Sequence, residues 1–141
     1  MSIQAVLLPL FVEVVLTLGL LLWLGVLRRQ DLRSGAVRPA QIALREPNWP
    51  PRTQQVANSF SNQFELPVLF YVLTILEIVT RYANLVFVVL AWIFVASRLA
   101  QAYVHTTSNI VLRRGMLYGV GLLALIAMWL IFIIRIMLGA P

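Results

Sequence analysis

Asn62 and Glu65 stand three residues apart, so on a helix they share one face. Arg98, Gln101 and His105 follow at positions i, i+3 and i+7, a second one-faced stripe. Thr106, Thr107, Ser108 and Asn109 come directly after it, then Arg113, Arg114 and Tyr118. Guanidinium groups stay charged and favour bidentate contacts with carboxylate or phosphate. Such a set suits an anionic ligand with several hydrogen-bonding groups. Other chemistries lack their parts. There is no cysteine, so thiolate catalysis by the protein and zinc–cysteine sites are excluded. His105 is the one histidine and Glu13 lies far from it in the chain, which leaves no metal site. Asp31 falls in a loop where nothing positions it for a Ser-His-Asp triad. Taken alone, His105 reads more readily as an interface residue than as a base.

These residues must be held by elements built for lipid. Of 141 residues 61% are hydrophobic and 11% charged, and the mean hydropathy is +0.90. Soluble domains are about a quarter charged. Four apolar runs stand out: about Ala5 to Leu27, Phe60 to Thr80, Leu85 to Val104, and Met116 to Leu138. Each has the length a helix needs to cross a hydrocarbon layer of about 30 Å. The expected fold is all-α, one four-helix transmembrane bundle over residues 1–141. The first run is not read as a signal peptide, because "MSIQA" has no basic segment and no small-residue cleavage site follows. "TRYAN" makes a tight connection from Thr80 to Asn84. One long polar loop, Arg28 to Ser59, contains Pro39, Pro47, Pro50 and Pro51, with room for a short helix around Pro39 to Leu44.

Charge sets an orientation. All eleven basic residues are arginine, and the net charge is +6. Arg28, Arg29, Arg33, Arg38, Arg45 and Arg52 lie in the first loop, Arg113 and Arg114 in the third. In a four-span chain these loops share one side, and the other side carries Arg81 and Arg135. The positive-inside rule places the Arg-rich loops in the cytoplasm and both termini on the non-cytoplasmic side. The arginines then also contact anionic lipid headgroups, and nucleic acid is not an expected partner.

Ionisable residues within spans are costly, so each is a candidate for function. Glu65 is expected roughly 8 Å inside the cytoplasmic end of the second span, and Arg98 roughly 9 Å inside the third. An acid and a base at matching depth are expected to pair. That pair serves equally as a lock between two helices or as part of a site. Pro67 removes the bond to the Gln63 carbonyl and loosens that turn. Glu13 is expected to pair with Arg135 toward the outer face.

The segment "NQFELP" is similar to the Asn-x-x-Glu element, followed by Pro, of the MAPEG family, the membrane-associated proteins in eicosanoid and glutathione metabolism. "RLAQAYVHTTSNIVLRRGMLY" resembles the corresponding segment of the family's prostaglandin E synthase branch without a gap, with Arg98, Arg114 and Tyr118 in matching places. Length, four spans and a long first loop agree as well.

The resemblance implies a homotrimer with glutathione as co-substrate, held between subunits at the cytoplasmic side. It gives Arg114 the role of stabilising the glutathione thiolate, with Arg113 as the near alternative. Asn62, Glu65 and Tyr118 would hold the tripeptide, Arg98 and His105 belong to the same set, and Arg28 or Arg29 would meet a glutathione carboxylate. The chain departs from the family pattern at Asn58, where arginine is usual, and from the prostaglandin synthase branch at Ser61, Gln101, His105 and Gly115, which replace Arg, His, Tyr and Ser. Three functions compete. One is a glutathione-dependent transferase or peroxidase acting on lipophilic small molecules. The second is a non-catalytic protein that binds lipid or a partner. The third is a small multidrug-type antiporter built on Glu13. A multi-pass protein of a bacterial inner membrane is expected.

Overall fold

The computed structural model describes residues 2–44 and 48–139, so Arg45 and Pro47 of the first loop lie outside the described residues. The described residues form five α-helices and one 3-10 turn, with no strand among them. In chain order these are α1 (Ile3–Ser34), the 3-10 turn (Pro39–Gln41), α2 (Pro51–Asn62), α3 (Leu66–Thr80), α4 (Leu85–Thr106) and α5 (Val111–Leu138). Four segments are long and apolar enough to cross a membrane: α1, the α2–α3 stretch Pro51–Thr80, α4 and α5.

The helices overrun the apolar runs where polar residues still favour helix. α1 continues seven residues past Leu27, through Arg28 to Ser34, and stops at Gly35, which takes the left-handed conformation (φ 78°). α2 claims the last part of the expected loop. It starts at Pro51, a residue preorganised for the first turn of a helix. The long loop therefore shrinks to the stretch between Gly35 and Pro50. The Thr53 hydroxyl donates to the Asp31 carboxylate across it. Leu24 packs on Val56 and Ala57, so α2 lies against α1. The short helix expected around Pro39 to Leu44 is a single 3-10 turn.

The second span is broken rather than continuous. Residues 63–65 separate α2 from α3, and Pro67 falls in the first turn of α3, where its missing N–H costs nothing. At 15 residues α3 is about 22 Å long, short of a bilayer by itself, so α2 completes the crossing. The tight connection to α4 forms as expected. Arg81 closes α3 in the left-handed region, and the Asn84 side chain caps α4 by accepting from the Phe87 N–H at 3.0 Å. α5 begins five residues before Met116, after a short turn in which Asn109 adopts positive φ.

A core of Phe70 and Leu73 from α3, Ala91, Phe94 and Val95 from α4, and Ala124, Leu125 and Met128 from α5 joins these helices, with Val6 from α1. α4 and α5 make the most extensive contact. Gly121 permits it, since a Cβ there would sit 2.6 Å from Ser97 Oγ. Gly121→Leu should destabilise the protein by about 1–3 kcal/mol through overpacking. An unchanged melting temperature would show that α4 and α5 separate freely at this height.

The two ends differ. At one, Arg52 donates to the Thr106 carbonyl and lies 4.8 Å over the Trp23 ring, which ties the α2 start to α1 and to the end of α4. This end gathers the first and third loops, as the alternation of four spans requires. At the other, Arg135 donates to the Tyr82 carbonyl at 2.7 Å and stacks on its ring. The expected Glu13–Arg135 pair is not formed. Glu13 sits about 15 Å along α1 from its start, whereas Arg135 is one turn from the end of α5, about 10 Å nearer the surface. Arg135 instead acts on Glu77, a buried residue near the end of α3.

Candidate functional site

At the Arg-rich end, α2, the 63–65 break, α4 and α5 enclose a cleft of about 380 Å³. Small-molecule sites run from roughly 300 to 1,000 Å³. Each wall follows a helical stripe. Asn58 and Asn62 are one turn apart on α2, and Glu65 stands just past the break. Gln101 and His105 are one turn apart on α4. Val111, Arg114, Gly115 and Tyr118 recur at i, i+3, i+4 and i+7 on α5. Five of the expected site residues meet here: Asn62, Glu65, His105, Arg114 and Tyr118.

Arg98 lies beneath the cleft, 1% exposed. It does not take the Glu65 carboxylate directly. Its Nη1 donates to Gln101 Oε1 at 2.7 Å and its Nη2 donates to the Asn62 carbonyl at 3.0 Å. The reason lies in the broken helix. The Asn62 carbonyl is at the C-terminus of α2, where a cation both satisfies an open acceptor and favours the helix dipole. The Asn62 side chain makes the link to the acid instead. Its nitrogen donates to Glu65 Oε1 at 2.7 Å and its oxygen accepts from Gln101 Nε2 at 3.0 Å, the amide orientation that satisfies both neighbours. Arg98, Gln101, Asn62 and Glu65 thus form one hydrogen-bonded chain, ending in a carboxylate that is exposed to the cleft.

Arg114 sits in the first turn of α5, half-buried. Arginine is an unfavourable choice there, because the helix dipole is positive at that end. No side chain caps this terminus, since the N-cap is Ile110. Arg114 and the open N–H groups beside it together favour a negative charge. His105 lies in the field of Arg114 and Arg98, and its Nδ1 is buried without a partner. A buried unpaired ring nitrogen on the cleft wall is a place for a ligand group to bond.

Two expected site residues stand elsewhere. Arg113 is exposed and does not line the cleft. Arg28 stacks on Trp49 at 4.9 Å and lines a second cleft of about 430 Å³, with Leu21, Leu24 and Phe60 as apolar walls. Asn58 borders both clefts. Sequence spacing did not reveal Gln101 as the joint between Arg98 and Asn62. Its position three residues after Arg98 was the available signal. Among the described residues no group of His, Cys, Asp and Glu is placed to hold a metal ion.

Comparison with known proteins gives one match: the model of the MAPEG family fits residues 6–134 of the chain. No curated protein and no solved structure matches it.

Proposed function

Because the chain belongs to the MAPEG family, a membrane family, and is a multi-pass integral membrane protein, we propose that it is a glutathione-dependent transferase or peroxidase acting on lipophilic electrophiles. The observation that carries this reading is the convergence of Asn62, Glu65, His105, Arg114 and Tyr118 on one cleft at the Arg-rich end. Membership of this family sets the antiporter aside.

The residues fit the tripeptide. Glutathione has a thiol, two carboxylates, one ammonium and two amides. Glu65 is free to meet the γ-glutamyl ammonium. Asn58, Asn62 and Tyr118 offer donors and acceptors to the amides, and His105 Nδ1 takes one more hydrogen bond. Arg114 has the sulfur. An ordinary thiol has a pKa near 8.5, and a guanidinium beside it favours the thiolate. In the transferase reaction the thiolate sulfur attacks an electrophilic carbon, a C–S bond forms, and the leaving group departs with the electron pair of its bond. With a hydroperoxide, two thiols become one disulfide while the O–O bond is reduced to an alcohol and water. The second cleft, apolar along Leu21, Leu24 and Phe60 and bordered by Asn58, suits the body of a lipophilic co-substrate.

The assembly belongs to the same reading: a homotrimer, Arg-rich loops in the cytoplasm, both termini on the other side. In a trimer Arg28, outside this cleft within one chain, is available to the cleft of a neighbouring copy. A non-catalytic lipid- or partner-binding role is the second reading. Asn58 favours it, because this cleft residue stands where the family element carries arginine, and a carboxylate contact is lost.

Glutathione titrated into detergent-purified protein decides between them. Binding at millimolar concentration or tighter, with the ultraviolet absorbance of a thiolate at neutral pH, is the expected result. No binding at that concentration would move the non-catalytic reading to first place.

A further inference from the structure

Glu13 is an acid in the middle of α1 that the cleft does not use. It is completely buried, and both of its carboxylate oxygens lack a hydrogen-bond partner. An unpaired buried carboxylate is among the most costly groups a protein holds, and in lipid-facing helices such residues turn inward toward a partner. Arg98 is the charge that acts on it. Successive spans alternate in direction, so α1 and α4 run the same way, and they pack together. Glu13 is about 15 Å from the start of α1 and Arg98 about 20 Å from the start of α4. Glu13 acts on Arg98 electrostatically, as do Tyr118, Glu65 and Tyr71. The guanidinium Nε is itself buried and unpartnered. Its other nitrogens hold Gln101 and the Asn62 carbonyl.

We infer that Glu13 is a positioning residue: its carboxylate is the buried counter-charge that keeps Arg98 aimed at the end of α2, and so holds Asn62 and Gln101 in the cleft wall. α1, which gives the first cleft no side chain, thereby sets its shape. As far as glutathione is concerned the inference rests on the function proposed above, but the positioning itself does not.

Three measurements on the full-length protein in nanodiscs test it. The first is a stability cycle of Glu13→Leu, Arg98→Leu and the double variant. Each single change leaves one buried charge alone and should lower the melting temperature by about 10 °C. The double change removes both and should recover most of that loss. The second is hydrogen exchange over residues 62–66 in Glu13→Gln. It should quicken at least about tenfold there, and Glu13→Asp should restore part of the protection. Leu125→Ala, a core change elsewhere in the bundle, should lower the melting temperature without that local change. The third is glutathione affinity, which should fall about tenfold in Glu13→Gln and stay at the wild-type value in Leu125→Ala.

Single losses that simply add in the double variant would remove the pairing. Exchange at 62–66 that is unchanged in Glu13→Gln would remove the positioning role. If wild-type protein binds no glutathione, the proposed function fails, while the first two measurements still decide the role of Glu13.

Discussion

Arg114→Ala should cost about a hundredfold or more in conjugation of an activated aryl halide, while glutathione affinity falls much less. The contrast follows from what the guanidinium does. It acts on the sulfur as negative charge develops there, and removing one preorganised donor from such a site typically costs 10²- to 10³-fold, about 2.7–4 kcal/mol. Binding is shared with Asn62, Glu65, His105 and Tyr118, which line the same cleft. The thiolate absorbance should vanish near neutral pH and return only as the pH approaches the ordinary thiol range. Arg114→Lys keeps the charge without the planar fork, so its loss should be smaller. Arg113→Ala, at an exposed position outside the cleft, should retain nearly full turnover. Equal behaviour of the two alanine variants would return both arginines to the role of membrane-surface anchors.

Arg98→Ala should be the most destabilising arginine substitution, by about 3–5 kcal/mol. At 1% exposure its removal leaves Glu13 without its counter-charge, and the Asn62 carbonyl and Gln101 lose a charged donor. Arg29→Ala, at an exposed position, should leave the melting temperature nearly unchanged. Matching melting temperatures for the two variants would show that Arg98 carries no buried counter-charge.

The sequence made the four spans legible because each is a long apolar run, and lipid tolerates few other designs. It also made the cleft legible in outline. Asn62 with Glu65, and Arg114 with Tyr118, repeat at helical spacing, so their shared faces follow from the chain alone. What did not follow was lateral. Glu65 and Arg98 lie at matching depth, yet depth does not say which acceptor a guanidinium takes. The break after Asn62 exposes a carbonyl, and the carbonyl wins. Glu13 shows the same limit. Its chemistry was visible from its neighbours Val12 and Val14, but the choice between Arg98 and Arg135 depends on how far each helix runs before its cap. The extension of α1 to Ser34 and the early start of α2 are not legible in the sequence because polar helix has no hydrophobic run to mark it. Arg28 stands apart for another reason: Trp49 takes its face, and no spacing rule links residues 28 and 49.

The broken second span has a consequence for biogenesis. Asn62 leaves the ribosome 36 residues ahead of Arg98, the residue that closes the end of α2. While α3 is first being partitioned into the bilayer, the Asn62 carbonyl has the Glu65 N–H but still lacks its charged donor. The first half of the chain therefore enters the membrane with its middle unfinished. Its final seating waits for α4, so the cleft is assembled backwards along the chain, with its earliest residues fixed by later ones.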